Sequence, residues 1–259
     1  MYTPRQFYNG HRMNPRERQT LRTLPLRQAN NFLKSLIIQK YVSKGDRILD
    51  IGGGKGGDLQ KYHHAGVSSV ILTDIAEDSL REARYRYERG RQYRFTFSAQ
   101  VLDFREPFGC LWGCDFQVVI SMFSLHYAFR TRDIGLRALQ SIAINLKPRG
   151  KFIAIVPDSG QVKVGIDNSI CKISNLEGRS YTFYLEDAVD HVEEYLVDSE
   201  ELVESANQVG LTLEDTKLLT EMWDEAEDHS LKAKMVHETP DADMMEVIGL
   251  YRCWIFRKC

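Results

Sequence analysis

Ile48-Leu49-Asp50-Ile51-Gly52-Gly53-Gly54-Lys55-Gly56-Gly57-Asp58-Leu59 decides how this chain folds. An apolar strand carrying an acid runs into five glycines within six positions, and a helix opens at Leu59. Glycine is required where φ turns positive or where a ligand comes too close for a Cβ. Strand, glycine turn and helix together open a nucleotide-binding βαβ unit, with the ligand on the turn beside the helix N-terminus. Gly52, Gly54 and Gly57 satisfy G-x-G-x-x-G, and Asp74 follows at the distance of a ribose-binding acid. That pattern suits NAD and S-adenosylmethionine equally. No Gly-Lys-Ser/Thr follows, so a phosphate P-loop is excluded. Asp50 favours the methyl donor, because a carboxylate there can hold an ammonium or order the loop but repels a pyrophosphate.

Working outward, the β-α alternation continues in both directions. Residues 1–30 are basic and broken by Pro4, Pro15 and Pro25, which reads as an extended arm with room for one short helix. Asn31–Val42 has helical apolar spacing. Arg47–Ile51, Ser69–Thr73, Phe95–Val101, Asp115–Ser121 and Lys151–Val156 read as five strands. Helices are expected over Leu59–Ala65, Asp78–Arg89 and Asp133–Asn145, and a turn over Lys147–Gly150. Asp74 ends the second strand and Asp103 follows the third, suited to ribose hydroxyls and the adenine amino group; each is equally a common turn or capping residue. His126 and Tyr127 follow the fourth strand, where a doubly wound fold puts its chemistry.

Residues 158–197 form an insertion with strands expected at Arg179–Leu185 and Val192–Val197. A helix at Ser199–Val209 precedes two antiparallel strands, Leu211–Leu219 and Ile248–Phe256, which flank an acidic, helical and mobile stretch, Met222–Met245. Five alternations with an antiparallel tail fit a seven-stranded methyltransferase sheet better than a dehydrogenase. The expected organisation is an arm (1–30), a Rossmann-like α/β core (31–157), the insertion (158–197) and a C-terminal completion of the sheet (198–259).

At 259 residues the chain is one domain with insertions, and its net charge of -2 hides an asymmetry. Met1–Arg47 carries ten Lys/Arg against two acids, Arg81–Arg94 six Arg against two Glu, and Glu186–Glu246 twenty acids against three Lys. The basic half suits a phosphate-bearing partner; the acidic stretch excludes a general nucleic-acid coat. Two solvated faces of opposite sign explain the same counts. The five cysteines form no paired framework and no metal spacing, which points to a reducing compartment. No stretch reads as a membrane span or secretory signal.

Asp50-Ile51-Gly52-Gly53-Gly54-Lys55-Gly56-Gly57-Asp58-Leu59 resembles the D-L-G-C-G-K-G-G-D-L signature of messenger RNA cap guanine-N7 methyltransferases. Other likenesses fall in order. Phe7-Tyr8-Asn9 is similar to that family's H-Y-N, Asn30-Asn31-Phe32-Leu33-Lys34 to N-N-W-x-K, and Thr73-Asp74-Ile75-Ala76 to T/V-D-I-A. Phe123-Ser124-Leu125-His126-Tyr127 resembles F-x-x-H-Y, Glu194-Tyr195-Leu196-Val197 resembles E-Y/F-x-V, and Gly249-Leu250-Tyr251 resembles G-x-Y.

The resemblance implies a class I fold with an inserted cap-binding lobe, and transfer of methyl from S-adenosylmethionine to guanine N7 of GpppN-capped messenger RNA. It implies that Lys34, Asp50, Gly52, Gly54, Asp74, Asp103, Met122 and Tyr127 hold the cofactor. It places Lys55, Lys61 and Arg86 at the cap phosphates, and Asn30, Asn31, His126, Tyr127, Glu194 and Tyr251 around the cap. Glu194, His126 and Tyr127 would act by positioning and electrostatics, with no metal and no general base. Gly53 stands where the family has Cys, an exchange expected to be sterically harmless, and Met122 replaces a Gln that helps hold the cofactor. The family further implies nuclear location, a monomer, and recruitment by the capping guanylyltransferase or the RNA polymerase II tail. Two other functions fit the residues: a methyltransferase for another substrate, and a non-catalytic cap-binding scaffold.

Overall fold

A computed structural model describes residues 20–259 except 91, 92, 112 and 164. The Phe7-Tyr8-Asn9 likeness and most of the expected basic arm lie outside the described residues.

A seven-stranded sheet carries the fold, in the order β3-β2-β1-β4-β5-β10-β9. β1 (Arg47–Ile51) lies between β2 (Ser69–Asp74) and β4 (Phe116–Met122), parallel to both. β3 (Thr96–Val101) pairs with β2, and β5 (Leu146–Pro157) with β4, also in parallel. Ile48, Leu49 and Ile51 are fully buried, as a central parallel strand covered on both faces requires. The strand order reverses between β1 and β4, so the crevice opens at their C-terminal ends.

The first helix, α1 (Leu24–Tyr41), starts earlier than the expected Asn31, inside the stretch read as extended arm. Pro25 occupies its first turn, where a missing N–H costs nothing. α2 (Leu59–Ala65) and α3 (Glu77–Arg89) follow β1 and β2 as expected. A 3-10 turn over Leu125–Arg130, not anticipated from sequence, separates β4 from α4 (Arg132–Asn145). The turn expected at Lys147–Gly150 is carried inside β5. Pairing there jumps from Phe116↔Leu146 to Val118↔Lys151, and Arg149 has φ 63°.

The insertion is a separate antiparallel sheet of β6 (Cys171–Glu177), β7 (Ser180–Leu185) and β8 (Val189–Tyr195). β6 was not foreseen, because its polar Lys172, Ser174 and Asn175 obscure the alternation. α5 (Ser199–Gln208) leads to β9 (Leu211–Leu218), which pairs antiparallel with β10 (Tyr251–Lys258). Ile248, expected to open the last strand, instead belongs to a helix.

The acidic stretch holds α6 (Leu219–Glu225), α7 (Lys232–Met235) and α8 (Ala242–Gly249). The stretch is helical as expected, and it is anchored at its two ends. Trp223, Met244, Val247 and Ile248 are buried, and the Phe32 ring on α1 meets Trp223 edge-on at 5.9 Å. One correction concerns the cysteines: Cys110 and Cys114 form a disulfide across a short loop, with Cα atoms 5.2 Å apart, while Cys171, Cys253 and Cys259 are free. Spacing alone did not reveal that the loop closes on itself. Among the described residues no helix is long and apolar enough to cross a membrane.

Candidate functional site

The glycine loop leaves β1 with φ 69° at Gly52 and 57° at Gly54. A Cβ on Gly52 would stand 2.4 Å from Ser124 Oγ, and that hydroxyl donates to the Ile51 carbonyl at 3.0 Å. The loop is therefore clamped against the chain leaving β4. Asp74 Oδ2 accepts the Gly54 N–H at 2.9 Å, and Oδ1 accepts the Ala76 N–H at 2.8 Å. Burial raises the Asp74 pKa, and these backbone donors partly offset the rise. A carboxylate offers about four acceptor positions, so two hydroxyls of a ribose can still be met. A Cβ on Gly54 would stand 4.0 Å from Asp74 Oδ2, on the ground such a ligand needs. Bare glycine backbone beside a partly satisfied carboxylate fits an adenosine-bearing cofactor.

Asp50 lies beneath this loop. It is buried, its Oδ2 accepts the Tyr62 hydroxyl at 2.9 Å, and burial, helped by nearby Asp58, raises its pKa to about 7. That hydrogen bond ties β1 to α2 beneath the loop. Gly53 is not a neutral replacement for cysteine. A Cβ there would meet Asp50 Oδ2 at 2.7 Å and Leu72 Cγ at 2.7 Å, so both groups fill the room a side chain would take.

Below the loop, Asp58 joins two lysines. Lys34 reaches Oδ2 at 2.8 Å and Lys61 reaches Oδ1 at 2.7 Å. Burial pushes the Asp58 carboxyl up, but the two ammonium groups outweigh it and hold the pKa well below the ordinary value. Lys61 also donates to Asn31 Oδ1 at 2.8 Å and to the Gly57 carbonyl at 3.3 Å. Its three donors are thus met inside the protein, and burial lowers its pKa. In this arrangement the Lys61 side chain, expected at a cap phosphate, braces α1 against α2. Lys34 further lies over the Phe123 ring, 5.4 Å from its centroid.

Phe123 has φ 64°, an unusual conformation for a bulky residue. It turns the chain sharply at the end of β4 and starts the 3-10 turn that carries His126 and Tyr127. Its ring meets Tyr251 edge-on at 4.8 Å, linking β10 to the same crevice. Met122 is buried in the apolar core and offers the crevice no polar contact.

Glu194 on β8 is 3% exposed. Tyr127 donates to Oε1 at 3.2 Å, Tyr181 donates to Oε2 at 2.8 Å, and His126 Nε2 lies 3.5 Å from Oε1. The His126 ring is 1% exposed, and neither nitrogen makes a hydrogen bond with the described residues. Buried polar atoms are nearly always paired, so such a ring calls for a ligand or water. Burial, and then the Glu194 charge, raise the Tyr181 pKa far above the ordinary value, so the phenol stays a donor.

Sequence reasoning missed Tyr181. β7 and β8 pair with Tyr181 directly opposite Glu194, and the two strands expected from sequence contained that register.

Four assigned residues are placed less directly. Asp103 is engaged by Arg105, whose Nε donates to Oδ1 at 2.8 Å. Arg86 on α3 pairs with Glu82 at 3.0 Å. Lys55 sits half-buried in the loop. Asn30 Oδ1 is buried with no hydrogen bond to the described residues.

A family model described as the mRNA (guanine-N(7))-methyltransferase domain matches residues 3–175. The mRNA cap guanine-N(7) methyltransferase of Saccharomyces cerevisiae is 35% identical over 246 residues, covering 81% of this chain and 56% of that protein. The mRNA cap guanine-N(7) methyltransferase 1 of Arabidopsis thaliana is 31% identical over 205 residues, covering 67% and 55%. The chain thus spans about half the length of the curated relatives it matches. Among solved structures, the CcbJ methyltransferase of Streptomyces caelestis superposes with a TM-score of 0.60 over 89% of this chain and 90% of that one. At 14% identity that likeness speaks for the fold. A S-adenosylmethionine-dependent methyltransferase of Clostridium acetobutylicum gives 0.59 at 12% identity, covering 89% and 90%.

Proposed function

The chain belongs to the mRNA (guanine-N(7))-methyltransferase family, and from that premise we propose that it methylates N7 of the terminal guanosine of the GpppN cap of messenger RNA. S-adenosylmethionine supplies the electrophilic methyl group. Gly52, Gly54 and Asp74 would hold its adenosine, with Lys34, Asp50, Asp103, Met122 and Tyr127 completing the site.

The observation that carries the reading is Glu194. A buried carboxylate held by two phenols, beside a histidine whose ring nitrogens make no hydrogen bond with the described residues, is shaped for the Watson–Crick edge of a purine. Guanine N7 has a free lone pair at neutral pH, so the protein need remove no proton to make it nucleophilic. Glu194 accepts from guanine N1–H and the exocyclic amine, and favours the positive charge that grows on the ring as methyl arrives. His126 donates to O6, while Tyr251 and Tyr127 wall the base. Lys55 and Arg86 meet the triphosphate. Fixing acceptor and donor at near-attack geometry can supply roughly 7–11 kcal/mol of the barrier. Nuclear residence, and recruitment through the capping guanylyltransferase or the RNA polymerase II tail, go with this reading.

The test is transfer from labelled S-adenosylmethionine to GpppA-capped RNA, with m7GpppA-capped RNA in parallel. Incorporation into the first alone is expected. Incorporation into both would place the acceptor elsewhere, and none into either would end the cap reading.

A further inference from the structure

The insertion leaves the main sheet at Asp158 and returns to it at Val197, and those two residues form a parallel bridge. Asp158 follows the last residue of β5 and is 5% exposed. Its backbone closes the β5–β10 ladder. Tyr251 lies opposite Pro157, which has no N–H to give, and the Asp158 N–H donates to the Leu250 carbonyl at 2.8 Å. The Asp158 carbonyl accepts the N–H groups of Gln161 at 2.9 Å and Val162 at 3.0 Å, which starts the insertion. In the side chain, Oδ1 accepts the Gly160 N–H at 2.7 Å, and Oδ2 accepts from Arg252 Nε.

A turn explains the Oδ1 contact, because Asp commonly bonds the backbone two residues on. It does not explain the ion pair with Arg252. Burying a carboxylate costs desolvation, and apolar side chains of similar volume in place of such a pair are often as stable or more so. What the pair adds is direction. Leu250 and Arg252 stand on either side of Tyr251, and both are tied to Asp158. On the other side, Val197 lies three residues after Glu194, and the Leu196 N–H between them donates to the Arg179 carbonyl at 2.8 Å. Asp158 therefore meets the chain beside Tyr251 and close to Glu194, the two residues assigned to opposite parts of the guanine pocket.

We propose that Asp158 is a positioning residue for the methyl acceptor. It holds Tyr251 on β10 in register with the insertion strand that carries Glu194, without touching the base itself. A transfer in which no proton need be removed depends on alignment, and a misplacement of about 1 Å can cost on the order of a hundredfold in rate. The inference rests on the cap-methyltransferase reading and names what aligns the two parts of that site.

Asp158→Asn keeps an oxygen for the Gly160 N–H and removes the charge that orients Arg252. Its kcat/KM for GpppA-capped RNA should fall roughly ten- to a hundredfold, with affinity for S-adenosylhomocysteine unchanged. Arg252→Lys, which keeps a charged donor for Oδ2, should retain most of the activity, whereas Arg252→Met should lose it as Asp158→Asn does. The double variant Asp158→Asn/Tyr251→Ala separates positioning from general support. If Asp158 acts through Tyr251, its loss matters little once that ring is gone, so the two effects combine to less than their product. Should Asp158→Asn not fold, Arg252→Met with Tyr251→Ala is read in the same way. Effects that multiply, an unchanged kcat/KM in Asp158→Asn, or a parallel fall in cofactor affinity overturn the assignment. Should the wild type methylate no GpppA-capped RNA, the functional reading fails separately. Asp158 is then judged by calorimetric titration of GpppA with S-adenosylhomocysteine present. Weaker binding in Asp158→Asn supports the assignment; equal affinity, or no binding to the wild type, overturns it.

Discussion

Glu194 owes its usefulness to two phenols. Without Tyr127 and Tyr181 a carboxylate so buried has no donors to replace water, and burying a charge unpaired is costly. Glu194→Ala is expected to abolish methyl transfer while leaving cofactor affinity unchanged, which titration calorimetry with S-adenosylhomocysteine reads directly. Tyr181→Phe tests the missed partner. Oε2 loses its donor at 2.8 Å, and a hydrogen bond to a charged group contributes about 1.5–3 kcal/mol. The variant should lose roughly ten- to a hundredfold in kcat/KM for capped RNA, with the cofactor KM unmoved. A matching fall in cofactor affinity would mean that Tyr181 supports the fold well beyond Glu194.

The strand, glycine turn and helix around Asp50 are a single pH-sensitive element. Burial raises Asp50 to about 7, whereas an unfolded Asp titrates near about 3.9. Between those values the folded chain keeps a proton that the unfolded chain has released. The contribution of this group is therefore full below about pH 4 and is lost as pH rises through about 7. Asp58 runs the opposite way: its pKa is depressed, so its contribution is present at neutral pH and lost in acid. Asp50→Asn should accordingly lose less thermal stability than the wild type between pH 5 and pH 8, in melts without cofactor. A parallel decline in both proteins would show that Asp50 ionises normally. The element itself was readable from sequence, because glycine conformation and helix start are local properties. The roles of its side chains were not. Lys61 looked like a solvated helix residue or a phosphate ligand, and only the approach of Asn31 and Asp58 consumes its donors.

Across the whole molecule, the acidic C-terminal helices hold α1 in place, and α1 carries Asn30, Asn31 and Lys34 to the crevice. Trp223 is the pin, 6% exposed and edge-on to Phe32. Trp223→Ala should cost about 3–5 kcal/mol, seen as a lower urea midpoint with an unchanged slope. The five parallel strands, the antiparallel tail and the glycine loop were determined by the sequence itself, since apolar runs, turn residues and glycines act over a few neighbours. So was the family, written in short motifs whose order survives without any knowledge of contacts. Tertiary structure alone decided the positive φ of Phe123, the pairing of Cys110 with Cys114, the packing of the acidic helices and the choice of Tyr181 as partner of Glu194. Tyr127 meets Glu194 across 67 positions, and no local pattern encodes a distance of that kind. Register, burial and charge pairing arise only when remote segments exclude water from one another, and at this site that exclusion sets which groups stay free for a ligand.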